Sequence, residues 1–96
     1  MNHKPLSLAN LALGMGNEVR LRALRELAAG EGLMTVELAE RIGTSASKLF
    51  HHMKKLLDSG MVQQNRSGLY SIPPQYIAST TERTLDYGSC LLRLKP

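Results

Sequence analysis

The stretch TVELAERIGTSASKLFHHMKKLL, residues 35–57, predicts two short amphipathic helices joined by a very tight break. Thr35 is expected to cap the first helix, and Glu37 places favourable negative charge in its first turn. The apolar stripe of this helix consists of Val36, Leu38, Ala39 and Ile42. Gly43 can close the helix in the left-handed conformation, and Thr44 or Ser45 can cap the next one. Two helices this close together predict a helix-turn-helix.

The second helix, residues 46–59, separates an apolar face from a polar face that carries no acid along residues 46–57. The buried face follows helical spacing and consists of Leu49, Met53, Leu56 and Leu57. The outer face consists of Ser47, Lys48, His51, His52, Lys54 and Lys55. Lys48, His51 and Lys55 lie at i, i+3 and i+7, so their side chains line up along one side. This arrangement favours a helix that enters the major groove of DNA.

The excess positive charge of the chain is concentrated around the same helix. The 96 residues carry a net charge of +4, and residues 41–66 account for all of it. In that segment Asp58 stands alone against five cations, namely Arg41, Lys48, Lys54, Lys55 and Arg66. A solvated basic face is the plain explanation, but such a concentration is also expected of a nucleic-acid-binding surface.

Two helices are predicted before the helix-turn-helix. Residues 6–15 are apolar on most sides, so a helix there should pack against something. Residues 17–29 form the second helix, with Asn17 as its cap and an inward stripe of leucines, alanines and one valine. Its arginines, Arg20, Arg22 and Arg25, are expected to face solvent. Nearby glutamates neutralise them, so they are not assigned to the DNA-binding surface.

A hairpin is predicted directly after the helix-turn-helix, over residues 61–72. Residues 61–65 and 69–72 are strand candidates, and Gly68 supplies the left-handed position of the loop between them. Pro73 and Pro74 end the second strand because neither can donate to a ladder. A hairpin in this place is a wing. Gln64 and Arg66 near its tip are suited to phosphates or to the adjacent minor groove.

The remaining C-terminal segment is less regular in sequence. Residues 75–84 are polar and predict a linker. Residues 85–94 predict either a strand with a bulge at Gly88 and Ser89 or a short helix. Neither residues 6–15 nor residues 85–94 are obviously required by a winged core. We therefore predict that they contact a second copy of the chain in a homodimer.

The order of elements resembles that of the ArsR/SmtB family of winged-helix transcription regulators. The segments that match are NEVRLRALRELAAGEGLMTVELAERIGTSASKLFHHMKKLLDSGMV and the hairpin that follows, together about residues 17–73. The resemblance implies that residues 46–59 are the recognition helix, with Ser47, Lys48 and His51 facing bases. It also implies a symmetric dimer, and His52 stands where that family usually has a histidine.

The chain departs from that family where its metal sensors hold their ligands. Those members resemble one another in carrying cysteines on the first helix of the helix-turn-helix, where this chain has Val36, Glu37 and Leu38, or ligands on a terminal helix. Neither set is present. His51 and His52 are adjacent and point about 100° apart on a helix, so they are not a chelating pair. We predict no metal site, no metal effector and no cofactor.

The single cysteine, Cys90, excludes an internal disulfide and favours a reducing compartment, so we predict a cytoplasmic protein. His3 and Lys4 followed by residues 6–15 imitate a secretory signal, but Asn10 interrupts the apolar run. That run is also too short to span a bilayer, so no membrane contact is expected. The sequence contains no recognisable catalytic set, so enzyme activity is not predicted.

We therefore predict one winged helix-turn-helix domain over residues 1–96, mostly α-helical with a small β-hairpin (α+β). The predicted function is sequence-specific binding of double-stranded DNA by a homodimeric transcription regulator, a repressor. The alternative is a winged helix that contacts a partner protein, since one fold serves both uses. The predicted DNA-binding residues are Thr44, Ser45, Ser47, Lys48, His51, His52, Lys54, Lys55, Gln64 and Arg66.

Overall fold

Four helices followed by two small antiparallel sheets make up the structure, a computed structural model that describes residues 5–95. His3 and Lys4, the charged start of the secretory-signal alternative, lie outside these residues. The helices are α1 (Leu8–Met15), α2 (Glu18–Leu27), α3 (Thr35–Ile42) and α4 (Ala46–Ser59). The strands are β1 (Gln63–Gln64), β2 (Tyr70–Ser71), β3 (Ile77–Ser79), β4 (Thr84–Asp86) and β5 (Leu91–Arg93), with a 3-10 turn at Pro74–Tyr76. This is the predicted winged helix-turn-helix fold.

Side chains and glycines define the helix ends. The Asn17 side chain accepts from the Val19 N–H at 2.8 Å at the start of α2, and Ser45 caps α4 by accepting from the Lys48 N–H at 3.2 Å. Gly43 ends α3 with φ of 76°, as its place in the sequence predicts. The predicted Thr35 cap is wrong. Thr35 is the first residue of α3, and the Met34 N–H is satisfied by the Glu37 carboxylate at 3.0 Å.

A shared core of leucines holds the four helices together. Fully buried side chains come from every helix, namely Leu11, Leu24, Leu27, Leu38, Leu49, Met53 and Leu56. Gly14 is buried inside α1. A Cβ at Gly14 would overlap the Met61 sulfur, so the glycine allows α1 to approach the end of α4 closely.

Val36 is not part of the inward stripe of α3, because its side chain is 66% exposed. It lies two residues before Leu38 and therefore about 200° around the helix from that buried side chain. Leu38 and Ala39 are the residues of α3 that enter the core.

The wing is shorter than predicted and has an extra partner. β1 and β2 pair antiparallel with Gln63 opposite Ser71, and Gly68 adopts φ of 93° in the loop between them. Met61 and Val62, predicted as part of the first strand, are buried in the core instead. Leu33 exchanges two backbone hydrogen bonds with Tyr70, at 2.8 and 2.9 Å. This bridge fixes the start of α3 against the wing.

The C-terminal segment forms a second sheet, contrary to the predicted linker. Residues 75–84 include the end of the 3-10 turn and β3, and β3 pairs with β4 through Ile77 and Leu85. Residues 85–94 form neither one bulged strand nor a helix. They hold the end of β4 and then β5, separated by a turn in which Gly88 has φ of 88° and donates to the Asp86 carboxylate at 2.9 Å.

Both terminal segments complete the core of the winged domain, contrary to what the sequence suggested. Leu11, Leu85 and Tyr87 are fully buried. The Tyr87 hydroxyl donates to the Met61 carbonyl at 2.8 Å, which joins the second sheet to the segment after α4. Burial raises the pKa of Tyr87 well above its usual value, and the nearby Tyr76 adds to the shift. The hydroxyl therefore remains a protonated donor.

Candidate nucleic-acid interface

The outer face of α4 carries most of the predicted DNA-binding residues. Leu49, Met53 and Leu56 point into the core, so the opposite side of the helix is left to solvent. The exposed residues of this side are Ser47, Lys48, His51, Lys54 and Lys55. Their spacing places Lys48, His51 and Lys55 in one row, as the sequence predicts. We call these five residues the α4 outer face.

The turn before α4 contains two of the predicted DNA-binding residues, Thr44 and Ser45, and both form hydrogen bonds within the protein. Thr44 is half-buried, and its N–H donates to the Ala39 carbonyl at 3.0 Å. Ser45 is exposed, but its hydroxyl oxygen already accepts from the Lys48 N–H as the cap of α4. The hydroxyl of Ser45 can still donate a hydrogen bond outward while its oxygen remains in the cap.

The lysines of the α4 outer face have no ion-pair partner in the part of the chain that the structure describes. None of Lys48, Lys54 and Lys55 forms an ion pair there. Asp58, near the end of α4, is the only carboxylate of this helix. The exposed lysines therefore present an uncompensated positive surface of the kind that attracts phosphates.

Arg41, by contrast, does not belong to this positive surface, although the sequence count included it. Its guanidinium contacts the Glu31 carboxylate at 3.0 Å and the Glu26 carboxylate at 3.9 Å. These glutamates come from α2 and from the loop after it. The position of Arg41 in the sequence gave no signal of these long-range pairings.

His52 does not project freely to solvent, because it is half-buried against Arg20 of α2. The Arg20 Nη1 lies 3.0 Å from the His52 Nδ1, and the Arg20 Nε donates to the Gly14 carbonyl at 2.9 Å. Arginine can only donate, so Nδ1 accepts and the neutral imidazole carries its proton on Nε2. The prediction that Arg20 faces solvent is therefore wrong, since only 6% of this residue is exposed.

The surroundings of His52 favour its neutral form. Burial lowers the pKa of His52 below its usual value, and the charge of Arg20 adds to the effect, followed by Lys55 and His51. A neutral His52 is able to accept from Arg20 and to donate through Nε2. The contact thus ties α4 to α2 and, through Gly14, to α1.

The wing brings two further predicted residues to the surface. Gln64 and Arg66 are exposed, and the Gln64 amide donates to the Gly68 carbonyl at 3.2 Å. The amide oxygen of Gln64 therefore remains available as an acceptor. Arg66 lies in the loop between β1 and β2 and has no ion pair among residues 5–95.

Phe50 is a surface residue that the sequence analysis did not include in the candidate interface. It lies on α4 with 53% of the side chain exposed, and its ring meets the His51 ring edge-on at a centroid distance of 5.8 Å. The sequence gave only a weak signal. Phe50 lies at the edge of the predicted buried face, with Met53 three residues later and Leu57 seven residues later, so helical spacing did not decide whether it is exposed.

The described residues contain neither a metal-binding cluster nor a membrane-spanning helix. No group of three or more His, Cys, Asp or Glu side chains there could hold a metal ion. No helix in residues 5–95 is long and apolar enough to cross a membrane.

A family model described as a helix-turn-helix domain matches residues 15–65, which is just over half of the chain. The matched segment runs from the end of α1 through both helices of the helix-turn-helix to the first strand of the wing. No curated protein matches the chain.

Proposed function

We propose that this chain, which belongs to the helix-turn-helix domain family, is a sequence-specific DNA-binding transcription regulator. The observation that carries the proposal is the α4 outer face, where exposed lysines without ion pairs in residues 5–95 flank His51 and Ser47. In line with the ArsR/SmtB resemblance, we propose a cytoplasmic repressor that has no metal effector and no catalytic activity.

In this proposal α4 lies in the major groove and the wing lies on the backbone or in the minor groove. Ser47, Lys48 and His51 reach base edges from the first half of α4, while Lys54, Lys55 and Arg66 neutralise phosphates. Phe50, exposed beside His51, is suited to contact a thymine methyl group. His52 holds α4 against Arg20 and offers its Nε2 proton to a phosphate.

We also propose that the protein binds DNA as a homodimer. α1 exposes large apolar side chains, with Leu8 at 67% and Leu13 at 48%, and the adjacent Ala9 and Ala12 are also exposed. An exposed apolar face of this kind favours contact with another protein. In a two-fold symmetric dimer, this face of each chain would be covered by the same face of the other. Two-fold symmetry would then place two recognition helices one DNA turn apart, about 34–36 Å.

The salt dependence of binding tests the DNA proposal. If each subunit neutralises about four phosphates, log K of a dimer should fall against log salt with a slope near −7, from about 0.9 per contact. Selection of bound duplexes from a pool of random sequences would first identify a site with inverted half-sites. Fluorescence anisotropy would then measure how the binding constant for that site changes with salt concentration. A flat salt response would refute DNA binding.

Paired substitutions separate base contacts from phosphate contacts. Lys48→Ala or His51→Ala should relax base preference by about 1–3 kcal/mol, because these side chains face the groove. Lys55→Ala or Arg66→Ala should weaken specific and random duplexes equally and make the salt slope of the dimer shallower by about two, because each removes one contact per subunit. Equal losses on both kinds of DNA for all four variants would contradict the assignment of groove-facing residues.

Point substitutions on α1 test the dimer, because deletion of either terminal segment would remove buried core residues such as Leu11 or Tyr87. The double variant Leu8→Gln with Leu13→Gln should sediment as a monomer and bind a two-half-site duplex at least about tenfold more weakly. Val36→Gln is the matched control, since it also removes an exposed apolar side chain. A wild-type monomer with full DNA affinity would rule the dimer out.

A protein partner is the second candidate function, and exposed apolar residues of the helix-turn-helix favour it. Met34, Val36 and Phe50 are all large, apolar and exposed, as the centre of a protein interface requires.

Replacing thymine by uracil across the selected DNA site tests whether Phe50 contacts DNA or a partner protein. If Phe50 contacts DNA, loss of the methyl groups should weaken wild-type binding and leave Phe50→Ala unaffected. No difference between the proteins would favour a protein contact for Phe50.

A further inference from the structure

A cleft lies on α2, away from the core, where three parts of the chain meet. Its volume is about 510 Å³, and its walls come from α2, the last residues of α3 and the segment around the end of β5. Four arginines line it, namely Arg22, Arg25, Arg41 and Arg93. Leu21, Ile42 and Leu94 supply apolar wall, and Glu18 is the only acidic residue of the lining. A cleft of this size accommodates a small organic molecule.

Two of the four arginines already have carboxylate partners. The Arg22 guanidinium contacts Glu18 at 2.7 Å, and Arg41 contacts Glu31 at 3.0 Å. Arg25 and Arg93 have no ion pair within the part of the chain that is described. The cleft therefore gathers more positive charge than the carboxylates of residues 5–95 neutralise through ion pairs, and such a cleft concentrates anions.

Arg25 also has an unsatisfied donor. Its Nε atom is buried and has no hydrogen-bond partner among residues 5–95. A buried donor without a partner is costly, more so on a charged group, and native proteins contain few of them. An anion in the cleft would bring oxygen acceptors to the guanidinium groups of Arg25 and Arg93.

We propose that this cleft binds a small organic anion with at least two carboxylate or phosphate groups. Guanidinium groups bind both kinds of group through paired hydrogen bonds, so two or more arginines favour a polyvalent ligand. The apolar wall selects a molecule with a carbon skeleton over a bare inorganic ion. The proposal does not depend on DNA binding, although Arg41 and Ile42 place the ligand beside the turn that leads into α4.

Citrate is a suitable first probe because it carries three carboxylates, and fructose 1,6-bisphosphate, which carries two phosphates on a carbon skeleton, tests the phosphate alternative. Isothermal titration of the full chain, at ionic strength held constant with chloride, should show saturable binding of one anion per chain. Arg25→Gln and Arg93→Gln should each weaken that binding about tenfold. Backbone amide signals of Leu21, Ile42 and Leu94 should shift during the titration.

Removing a positive charge from another part of the surface serves as the control. It distinguishes binding in the cleft from general electrostatic attraction of anions to the protein. Lys54→Gln and Lys55→Gln remove the same charge from α4 and should change the affinity for either anion less than about twofold. Circular dichroism of each variant confirms that it is folded. Equal weakening by the α4 variants, or no saturable binding of either anion up to about 10 mM, would overturn the proposal. A loss of DNA affinity in Arg25→Gln without any anion binding would assign the arginines to DNA instead.

Discussion

α2 and α4 carry similar positive charge in sequence but present very different surfaces. Each has three basic residues, and in α2 they are Arg20, Arg22 and Arg25. Arg20 is buried against Gly14 and His52, Arg22 pairs with Glu18, and Arg25 lines the cleft on α2. The three lysines of α4 are exposed and have no carboxylate partner within the described range. Charge in a sequence is therefore not the same as charge at a surface.

The chemistry of the two side chains explains the difference. Arginine offers several donors in a planar arrangement and is weakly hydrated, so it can serve inside a structure, as Arg20 does. Lysine keeps a strongly hydrated ammonium on a flexible stem, which suits contacts with phosphates at the surface. The comparison predicts that substitution of the buried Arg20 on α2 changes stability, whereas substitution of the exposed lysines on α4 changes DNA binding.

The largest expected effect concerns Arg20. Arg20→Met should lower the free energy of unfolding by about 3 kcal/mol, because it leaves the buried Gly14 carbonyl and His52 Nδ1 without their donor. Urea unfolding followed by circular dichroism measures the change. Arg22→Met is the matched control on the same helix, and its exposed pair with Glu18 should contribute at most about 0.5 kcal/mol. Equal losses in the two variants would show that Arg20 does not hold the helices together.

The next largest expected effect is a difference in DNA affinity between a variant of α4 and a variant of α2. Lys54→Gln should weaken binding to any duplex by about 1 kcal/mol and reduce the salt slope of a dimer by about two, one contact per subunit. Arg22→Gln removes the same charge from α2 and should leave both quantities unchanged, because Glu18 already neutralises Arg22. If the Arg22 variant loses as much affinity, the positive surface that contacts DNA extends over α2.

The sequence predicted those parts of the fold that depend on local spacing. The leucine stripe of α4, the helix-ending Gly43 and the wing loop with Gly68 all follow from short-range rules of helix and hairpin formation. The exposed row on α4 follows from the same spacing. The assignment of these residues to DNA remains a prediction.

The parts that were missed depend on contacts between distant residues. The polar segment before β4 gave no alternating pattern, yet β3 forms there because its backbone can pair with β4. Likewise nothing near Arg20 indicated that Gly14 and His52 would meet it, and nothing near Arg41 indicated Glu31. Phe50 is an intermediate case, because it lies at the edge of the predicted buried face and helical spacing did not decide its exposure.

The smallest expected effect tests the contact between the two helices through pH. Because the pKa of His52 is lowered in the folded protein, folding favours the neutral ring. Above the unfolded-state pKa of about 6.5 the ring is neutral in both states, so His52 adds no pH dependence to the free energy of unfolding there. As the pH falls below that value, the unfolded chain binds the proton first and stability declines until the folded protein is protonated as well.

The test therefore compares how the free energy of unfolding changes with pH in the wild type and in two variants. Wild-type stability should fall more steeply than that of His52→Gln between about pH 7 and 5, measured by urea unfolding. His51→Gln, which changes the exposed neighbour on the same helix, should keep most of the wild-type decline, because burial and Arg20 lower the pKa of His52 more than His51 does. If acid instead stabilises the wild type relative to His52→Gln, His52 does not face the Arg20 guanidinium in solution. The link between α2 and α4 would then have to rest on the apolar core alone.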